Sequence, residues 1–179
     1  MERFTYEEQK AVAAVLLILN ELTEVDKHKL AKILFFADQK HLARYGRTIT
    51  SDSYCKMDNG PVPSIIYDSV KSINNPRSYP NSHGFEGKIK VSGYNITPLA
   101  SADLDQLSET DIECLNESIR ENAGLTFGQL KDKSHGPAWH SVKDNRIIPF
   151  TEMAKEGKAS EFVMELIRIN LEAEELLSV

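Results

Sequence analysis

Residues 36–63 read FADQKHLARYGRTITSDSYCKMDNGPVP and decide the order of elements in the centre of the chain. The residues up to Tyr45 favour a helix, and Gly46 can adopt the left-handed conformation that ends one. The alternation over Ser53–Met57 predicts a short strand. Residues 58–61, Asp-Asn-Gly-Pro, predict a tight turn. The segment therefore predicts a helix, a loop, a strand and the start of another helix.

The helix that enters this segment is predicted to run from Asp26 to Tyr45. At about 100° per residue, its basic residues fall on one stripe and its apolar residues on the other side. Two interpretations of the stripe stay open: a solvated helix face, and a contact surface for an acidic partner or nucleic acid. The basic stripe consists of Lys29, Lys32, Lys40 and Arg44.

Two polar residues, Asp38 and His41, fall inside the apolar arc of this helix. They are three positions apart, so their side chains can meet on one face. Burial without hydrogen bonds is costly for both, so we interpret them as a structural polar network, or a pocket, near Tyr45. The alternative is a general base beside a nucleophile, for which Cys55 is the nearest cysteine along the chain.

Two further helices are predicted from their first residues. Thr5 and Glu8 form a capping-box pair, which predicts that the first helix starts at Thr5. Pro63 suits the first turn of a third helix, where its missing N–H costs nothing. This third helix carries Asp68 and only one basic residue, Lys71, whereas helices that read DNA usually present Arg, Lys, Asn or Gln.

A β-hairpin is predicted over residues 87–97, with Ser92 and Gly93 as its turn. The order helix, helix, strand, helix, hairpin resembles a winged helix, which keeps DNA binding as an alternative function. In the predicted register Val91 lies opposite Tyr94, and four apolar residues share one face: Ile89, Val91, Tyr94 and Ile96.

Helix signals continue to the end of the chain. Ser108 and Thr126 are predicted to cap two helices, and Phe127 and Leu130 to face inward from the second. The last helix is predicted over residues 160–177. Its packing on the domain and its pairing with a partner or dimer helix both stay open, because two heptads are too few to predict a coiled coil. The heptad residues are Phe162, Leu166, Ile169, Ala173 and Leu176.

The composition bounds the class of protein. The chain has 179 residues, 41% of them hydrophobic, and a net charge of −6. Such a chain can bury a core, and its negative charge disfavours nonspecific binding to nucleic acid or anionic membranes. The longest apolar run, Ala11–Leu19, is too short to span a bilayer, so we expect a cytoplasmic protein with no membrane contact.

We predict an α+β domain, mainly α-helical, with a winged-helix-like half, a small antiparallel sheet and a C-terminal helix. No motif for a cofactor, a phosphate or a metal is present. Cys55 and Cys114 lie outside any zinc-ligand spacing, so we interpret them as reduced structural thiols.

Several stretches of the chain are similar to a known family. They are Lys32–Asp38, His41–Gly46, Ile49-Thr50, Asp52–Tyr54 and Gly60–Val62, with looser likeness at Leu107-Ser108, Thr126–Leu130 and His135–Trp139. Together these stretches resemble the Panacea, or SocA-like, antitoxin domain family. Gln39 and Lys40 depart from it, because the family often has a bulkier aromatic pair there. We predict one such domain over residues 1–158, followed by a C-terminal helix over residues 159–179 that we expect to pack on the same domain.

The resemblance implies a bacterial or phage-borne type II antitoxin that binds a cognate protein toxin and blocks it. One branch of the family instead delivers its toxin to an AAA+ protease as an adaptor. The family has no known catalytic activity, which implies that the chain is not an enzyme and uses no cofactor. The alternatives are a DNA-binding regulator and a ligand-binding or hydrolytic site at Asp38 and His41, and the formation of homo-oligomers stays open.

Loops held by a rigid scaffold are where binding residues usually lie. Basic patches also stand out in an acidic protein as docking points for an acidic partner. The residues that we expect to contact a partner are Lys40, Arg44, Arg47, Asp52, Tyr54, Gly60 and Pro61.

Overall fold

A computed structural model describes residues 5–79, 81 and 83–177. Most of this part of the chain is helical, and two small antiparallel sheets complete it, so the predicted α+β, mainly α-helical fold is confirmed. The helices are α1 (Glu8–Leu22), α2 (Lys27–Tyr45), α3 (Ser64–Ser72), α4 (Glu109–Asn122), α5 (Phe127–Ser134), α6 (Pro137–His140), α7 (Phe150–Glu156) and α8 (Glu161–Leu177). The strands are β1 (Val25–Asp26), β2 (Tyr54–Met57), β3 (Gly60–Pro63), β4 (Ile89–Ser92) and β5 (Asn95–Pro98).

Helix α2 lies at the centre of the fold. One side of it contributes Ile33 and Leu34 to a core shared with α1, α4 and the β4–β5 hairpin. The other side contributes Phe35 and Leu42 to a second core, shared with α7 and α8. Since α2 is covered on both sides, polar groups along it must find partners inside the protein.

The three-stranded sheet has the order β1-β5-β4, with antiparallel neighbours throughout. Its short strand β1 lies between α1 and α2 and pairs Val25 with Ile96 of β5. This pairing attaches the hairpin to the helices. Strands β2 and β3 form a separate two-stranded sheet.

The predicted register of the β4–β5 hairpin is wrong, because the turn lies one residue further along the chain than predicted. Val91 pairs with Ile96 rather than with Tyr94, and the turn is formed by Gly93 and Tyr94. Gly93 has a φ of 62° and occupies the first turn position, which favours glycine in two-residue hairpins. Ile89, Val91 and Ile96 remain buried together, whereas Tyr94 lies exposed at the tip.

Most helix ends follow their capping signals. The side chain of Asp26 accepts a hydrogen bond from the Lys29 N–H (2.8 Å) at the start of α2, and Gly46 ends that helix with a φ of 76°. The capping boxes opened by Ser108 and Thr126 are both present, as predicted.

The predicted capping box of Thr5 and Glu8 is wrong. Helix α1 begins at Glu8 after Glu7, and no side chain of the described residues caps it. The Thr5 hydroxyl instead donates to the carboxylate of Glu174 in α8 at 2.5 Å. A tertiary hydrogen bond to a charged acceptor has replaced the weaker local one.

Helix α8 packs on α2 and α7 through Ile167 and Leu171, which are buried in the second core. Its heptad residues Phe162, Ile169 and Leu176 are exposed, because they lie on the opposite side of the helix. Within the described residues, no helix combines the length and the apolar character needed to cross a membrane.

Candidate functional site

Asp38 is the centre of a buried hydrogen-bond network that holds the loop after α2. Its Oδ1 accepts from the backbone N–H groups of Ile49 (2.6 Å) and Thr50 (3.1 Å). Its Oδ2 accepts from the hydroxyls of Thr50 (2.5 Å) and Tyr54 (2.7 Å). Burial raises the pKa of Asp38, and these hydrogen bonds oppose the rise. Four donors fill the acceptor positions of this carboxylate, so it serves to hold the loop.

His41 connects the same loop to α4. Its Nδ1 donates to the carbonyl of Arg47 (2.8 Å), and its Nε2 lies 3.0 Å from the Thr110 hydroxyl. Burial lowers the pKa of His41, while the hydrogen bond to Arg47 and the Asp111 carboxylate, whose Oδ1 lies 3.1 Å from Nε2, oppose the fall. The ring also lies against Tyr45, with the ring centroids 4.7 Å apart.

Asp111 of α4 forms ion pairs with two basic residues near His41. Its Oδ2 lies 3.0 Å from the Lys10 ammonium group of α1, and its Oδ1 lies 3.2 Å from Arg47 Nη1. Burial raises the pKa of Asp111, but hydrogen bonds from Ser108 and Lys10 outweigh burial and hold the pKa below its ordinary value. Asp111 thus joins α1, α4 and the loop after α2.

Asp38 and His41 lie three positions apart on α2, but they bond to different partners. Asp38 bonds to residues 49–54, whereas His41 bonds to Arg47 and to α4. Each side chain finds closer partners in a different neighbouring element. Burial also raises the pKa of the Cys55 thiol, the opposite of the change that activates a nucleophile. These observations disfavour a hydrolytic site at this position.

Asp52 caps helix α3. Its carboxylate accepts hydrogen bonds from the backbone N–H groups of Ile66 (2.8 Å), Ile65 (3.1 Å) and Ser53 (2.7 Å). Burial raises the pKa of Asp52 to about 6, against the effect of these bonds. Asp52 and Tyr54 are both fully buried. As folded, they shape the loop and do not reach the surface where a partner could touch them.

Lys32 is a buried lysine beneath the β2–β3 turn. Its Nζ donates to the carbonyl of Pro61 (2.7 Å), and burial lowers its pKa to about 7. The interpretation that the whole basic stripe faces solvent is therefore wrong at Lys32. Gly60 and Pro61 are buried as well, and Gly60 has a φ of 100°. A Cβ added to Gly60 would overlap Ser134 Oγ and lie 2.7 Å from Lys32 Cε.

The other end of the basic stripe is neutralised within the domain. Arg44 donates from both guanidinium ends to Glu117 of α4 (2.9 and 2.7 Å), and Lys40 donates to Glu121 (2.8 Å). The hydrogen bond from Arg44 lowers the pKa of Glu117. Lys40 and Arg44 are therefore part of the α2–α4 interface, and their outer edges alone are open to a partner.

A cleft of about 380 Å³ opens where the tips of both hairpins approach the start of α2. His28 joins these parts, because its Nε2 donates to the Asn59 carbonyl (3.1 Å) and its ring stacks on Phe127 at 4.0 Å. Burial lowers the pKa of His28, which favours its neutral form. The cleft is lined by Lys27, His28, Ala31, Lys32, Met57, Asp58, Asn59, Val62, Tyr67, Tyr94, Phe127 and Asn145.

The rim of this cleft presents large apolar side chains to solvent. Tyr94 is 82% exposed, Phe127 52% and Met57 41%. The predictions that Tyr94 and Phe127 face inward are thus wrong. Tyr94 sits in a turn, and Phe127 is the first residue of α5, so neither position points into a core. Exposed aromatic residues and methionine around a concavity are typical of protein interfaces.

Helix α3, the reading helix in the DNA-binding alternative, is not basic. The exposed residue on α3 is Asp68. Lys71 lies 3.3 Å from Asp68, and its ammonium group covers the rings of Tyr67 and Tyr79 at 4.1 and 4.8 Å. This helix offers little positive charge to a phosphate backbone, which disfavours DNA reading.

In the part of the chain that the structure describes, no three His, Cys, Asp or Glu residues come together as metal ligands. Burial raises the pKa of Cys114 to about 11, so this thiol stays protonated at neutral pH. The arrangement offers a rigid surface with an aromatic rim, and it is suited to binding.

Comparison with known proteins gives one finding. A family model described as "Antitoxin SocA-like, Panacea domain" matches residues 30–140. No curated protein and no solved structure matches the chain.

Proposed function

Because this chain belongs to the SocA-like antitoxin family with the Panacea domain, we propose that it neutralises a cognate protein toxin by binding it directly. The family match carries the proposal, since it covers residues 30–140, from α2 to the end of α6. These elements hold most of the cleft. The structural use of Asp38 and His41 supports a binding function, and we propose that the protein is not an enzyme.

We propose the cleft at the hairpin tips as the toxin contact. Its rim combines the exposed aromatic side chains of Tyr94 and Phe127 with the flexible side chain of Met57. Aromatic anchors of this kind supply most of the binding free energy in many interfaces. Lys27 and Asp58 place one charge of each sign beside them, which can select the orientation of a partner.

The proposal is tested by co-expression with the product of the neighbouring open reading frame. We expect that product to stop growth when it is expressed alone, and this chain to restore growth and to co-purify with it. If the neighbouring product is toxic and this chain neither restores growth nor co-purifies, the antitoxin proposal is wrong. A shift of operator DNA that weakens with salt would then favour the DNA-binding alternative.

Direct blocking and delivery to an AAA+ protease differ in the lifetime of the toxin. We propose blocking, for which the toxin persists in a stable complex when the chain is present. Pulse-chase labelling of the toxin in cells with and without the chain measures this lifetime. Rapid loss of toxin that depends on both the chain and a AAA+ protease would instead assign the adaptor mechanism.

A further inference from the structure

Helix α8 carries a straight row of exposed apolar side chains. Phe162 is 77% exposed, Ile169 54% and Leu176 79%, and each is seven residues from the next. Seven residues are close to two turns, so the three side chains follow one line along about 21 Å of helix. We call Phe162, Ile169 and Leu176 the α8 row.

The α8 row lies outside both cores that the described residues form. Helix α8 attaches to the domain through Ile167 and Leu171, which are buried on its other side. The side chain of Leu166 also lies close to Gly46 at the end of α2. An isolated exposed leucine is ordinary on a protein surface, but an aligned row of large apolar side chains on one helix needs an explanation.

One flank of the α8 row is acidic. At about 100° per residue, Glu161, Glu165 and Glu172 all fall beside the row, on its solvent side. Glu165 lies 3.1 Å from Arg168, its neighbour one turn along. Among the described residues, Glu161 and Glu172 form no ion pair, so this flank keeps negative charge for a partner.

From this arrangement we infer that the α8 row docks an amphipathic helix of a partner protein, one whose apolar stripe is flanked by Lys or Arg. A row with heptad spacing fits side chains that repeat every seven residues on a facing helix. The acidic flank selects a basic partner helix, because opposite charges beside an apolar seam fix both partner choice and orientation.

A second copy of this chain fits the row poorly. In an antiparallel pair, Glu165 and Glu172 would face the same two glutamates of the other copy, and like charges repel across such a seam. In a parallel pair, the acidic flank would meet the side of α8 that already packs on α2 and α7. The charge pattern therefore favours a different, basic protein.

This inference deepens the proposed function, because it assigns a second contact and the chemistry of the partner. Helix α8 lies outside the matched region, which ends at residue 140. The cleft and the α8 row are also built from different elements, so they can be tested independently.

The test uses a synthetic 21-residue helical peptide with Leu at heptad positions a and d and Lys at e and g. A matched peptide carries Glu in place of each Lys. We expect fluorescence anisotropy to show that the full chain binds the Lys peptide at least about tenfold more tightly than the Glu peptide. Equal binding of the two peptides would overturn the inference.

Two double variants locate the binding on α8. Phe162→Ser with Ile169→Ser should weaken binding of the Lys peptide at least about tenfold, since it removes two anchors. Glu165→Lys with Glu172→Lys should weaken it several-fold. Two controls should leave the affinity unchanged: Leu104→Ser, an exposed leucine elsewhere, and Glu86→Lys with Asp105→Lys, which reverses two exposed charges elsewhere. Equal loss in variants and controls would overturn the assignment to this surface.

Analytical ultracentrifugation of the full chain tests whether a second copy of the chain occupies the α8 row. We expect a monomer at tens of micromolar, and a dimer abolished by Ile169→Ser would assign the row to a second copy and overturn the inference.

The co-expression experiment separates the α8 inference from the antitoxin proposal. If the wild type restores growth and the α8 variants do so equally, the α8 inference fails and the antitoxin proposal stands. If the wild type fails to restore growth while the peptide results hold, the antitoxin proposal fails and the α8 inference stands.

Discussion

Lys32 and Asp38 are both fully buried on α2, and each is hydrogen-bonded by a segment that follows the helix. Asp38 holds the loop of residues 49–54, and Lys32 holds the β2–β3 turn through Pro61. Buried charge is costly unless it is hydrogen-bonded, so both side chains tie their segments to a single position. These two side chains of α2 thus fix the positions of the loop and the β2–β3 turn that follow the helix.

Asp38→Ala is expected to destabilise the protein by about 2–4 kcal/mol, since it leaves buried hydroxyl and amide donors without an acceptor. Tyr54, Thr50 and Ile49 would all lose a partner. Urea unfolding measures the change, and Asp105→Ala at an exposed position is the control. An unchanged free energy of unfolding together with lost toxin binding would place Asp38 in the binding site instead.

The low pKa of Lys32 predicts how the free energy of unfolding depends on pH. Its pKa is about 7 in the folded protein and near 10.5 in the unfolded chain. Between these values the unfolded chain holds a proton that the folded protein has released, so stability rises with pH. Relative to Lys32→Met, the wild type should gain at most about 1.4 kcal/mol per pH unit between pH 7 and 10. Parallel pH profiles of the two proteins would show that the amine does not titrate in this range.

At the scale of elements, the β2–β3 hairpin is positioned from three sides. Strand β3 packs on α2, and the Trp139 indole N–H donates to the Met57 carbonyl (3.1 Å). Residues 145–148 continue the sheet beside β2, with Ile148 N–H bonded to the Tyr54 carbonyl (2.8 Å). The turn at the lip of the cleft therefore sits on a rigid support.

A substitution at Gly60 tests this support, because the position requires both a positive φ and an empty space where a Cβ would lie. Gly60→Ala should cost at least about 1–3 kcal/mol, from backbone strain and from overlap with Ser134 and Lys32. Gly87→Ala is a matched control, since Gly87 also has a positive φ (72°) but no atom within 4 Å of the added Cβ. Thermal melts compare the two variants, and equal losses would mean that the overlap is relieved at no cost.

The α2–α4 contact gives a prediction for the Arg44→Glu variant. Since Arg44 pairs with Glu117, the change should destabilise the domain by about 0.5–1 kcal/mol, a modest value because the pair is partly exposed. Arg44→Glu with Glu117→Arg should restore stability. Lys88→Glu, at an exposed position, is the control, and failure of the double variant to recover would mean that the pair is not coupled.

For the whole molecule, the two proposed contacts belong to different parts of the domain. The cleft lies at the hairpin tips and the N-terminal end of α2, whereas α8 packs near the C-terminal end of α2, where Leu166 meets Gly46. A helix of 19 residues spans about 28 Å, which separates the two surfaces. One toxin with two contact regions can therefore bind both surfaces at the same time.

Tyr94→Ser and Phe127→Ser are each expected to weaken the complex with the co-encoded toxin about tenfold, because each removes an aromatic anchor. Leu99→Ser is the control, since Leu99 is 61% exposed and lies outside the cleft lining. Isothermal titration calorimetry with purified proteins measures the affinities. Unchanged affinity for both cleft variants would move the toxin contact away from the cleft.

The amino-acid sequence alone determined the features that depend on local chemistry. The end of α2 before Gly46 follows from the left-handed conformation of that glycine, and the starts of α4 and α5 follow from capping. The family also follows from short motifs around α2. These features are decided by residues within one or two turns of each other, so a local pattern is sufficient to predict them.

Only the tertiary structure decided which side of each element is buried. Lys32 is buried by Pro61 and Gly60, Arg44 is neutralised by α4, and Phe162 is exposed because another side of α8 packs on the domain. A periodic pattern shows that a helix has two faces, but the neighbouring elements select between them. Those neighbours lie far away along the chain, so the cleft and the α8 row emerge only when the chain is folded.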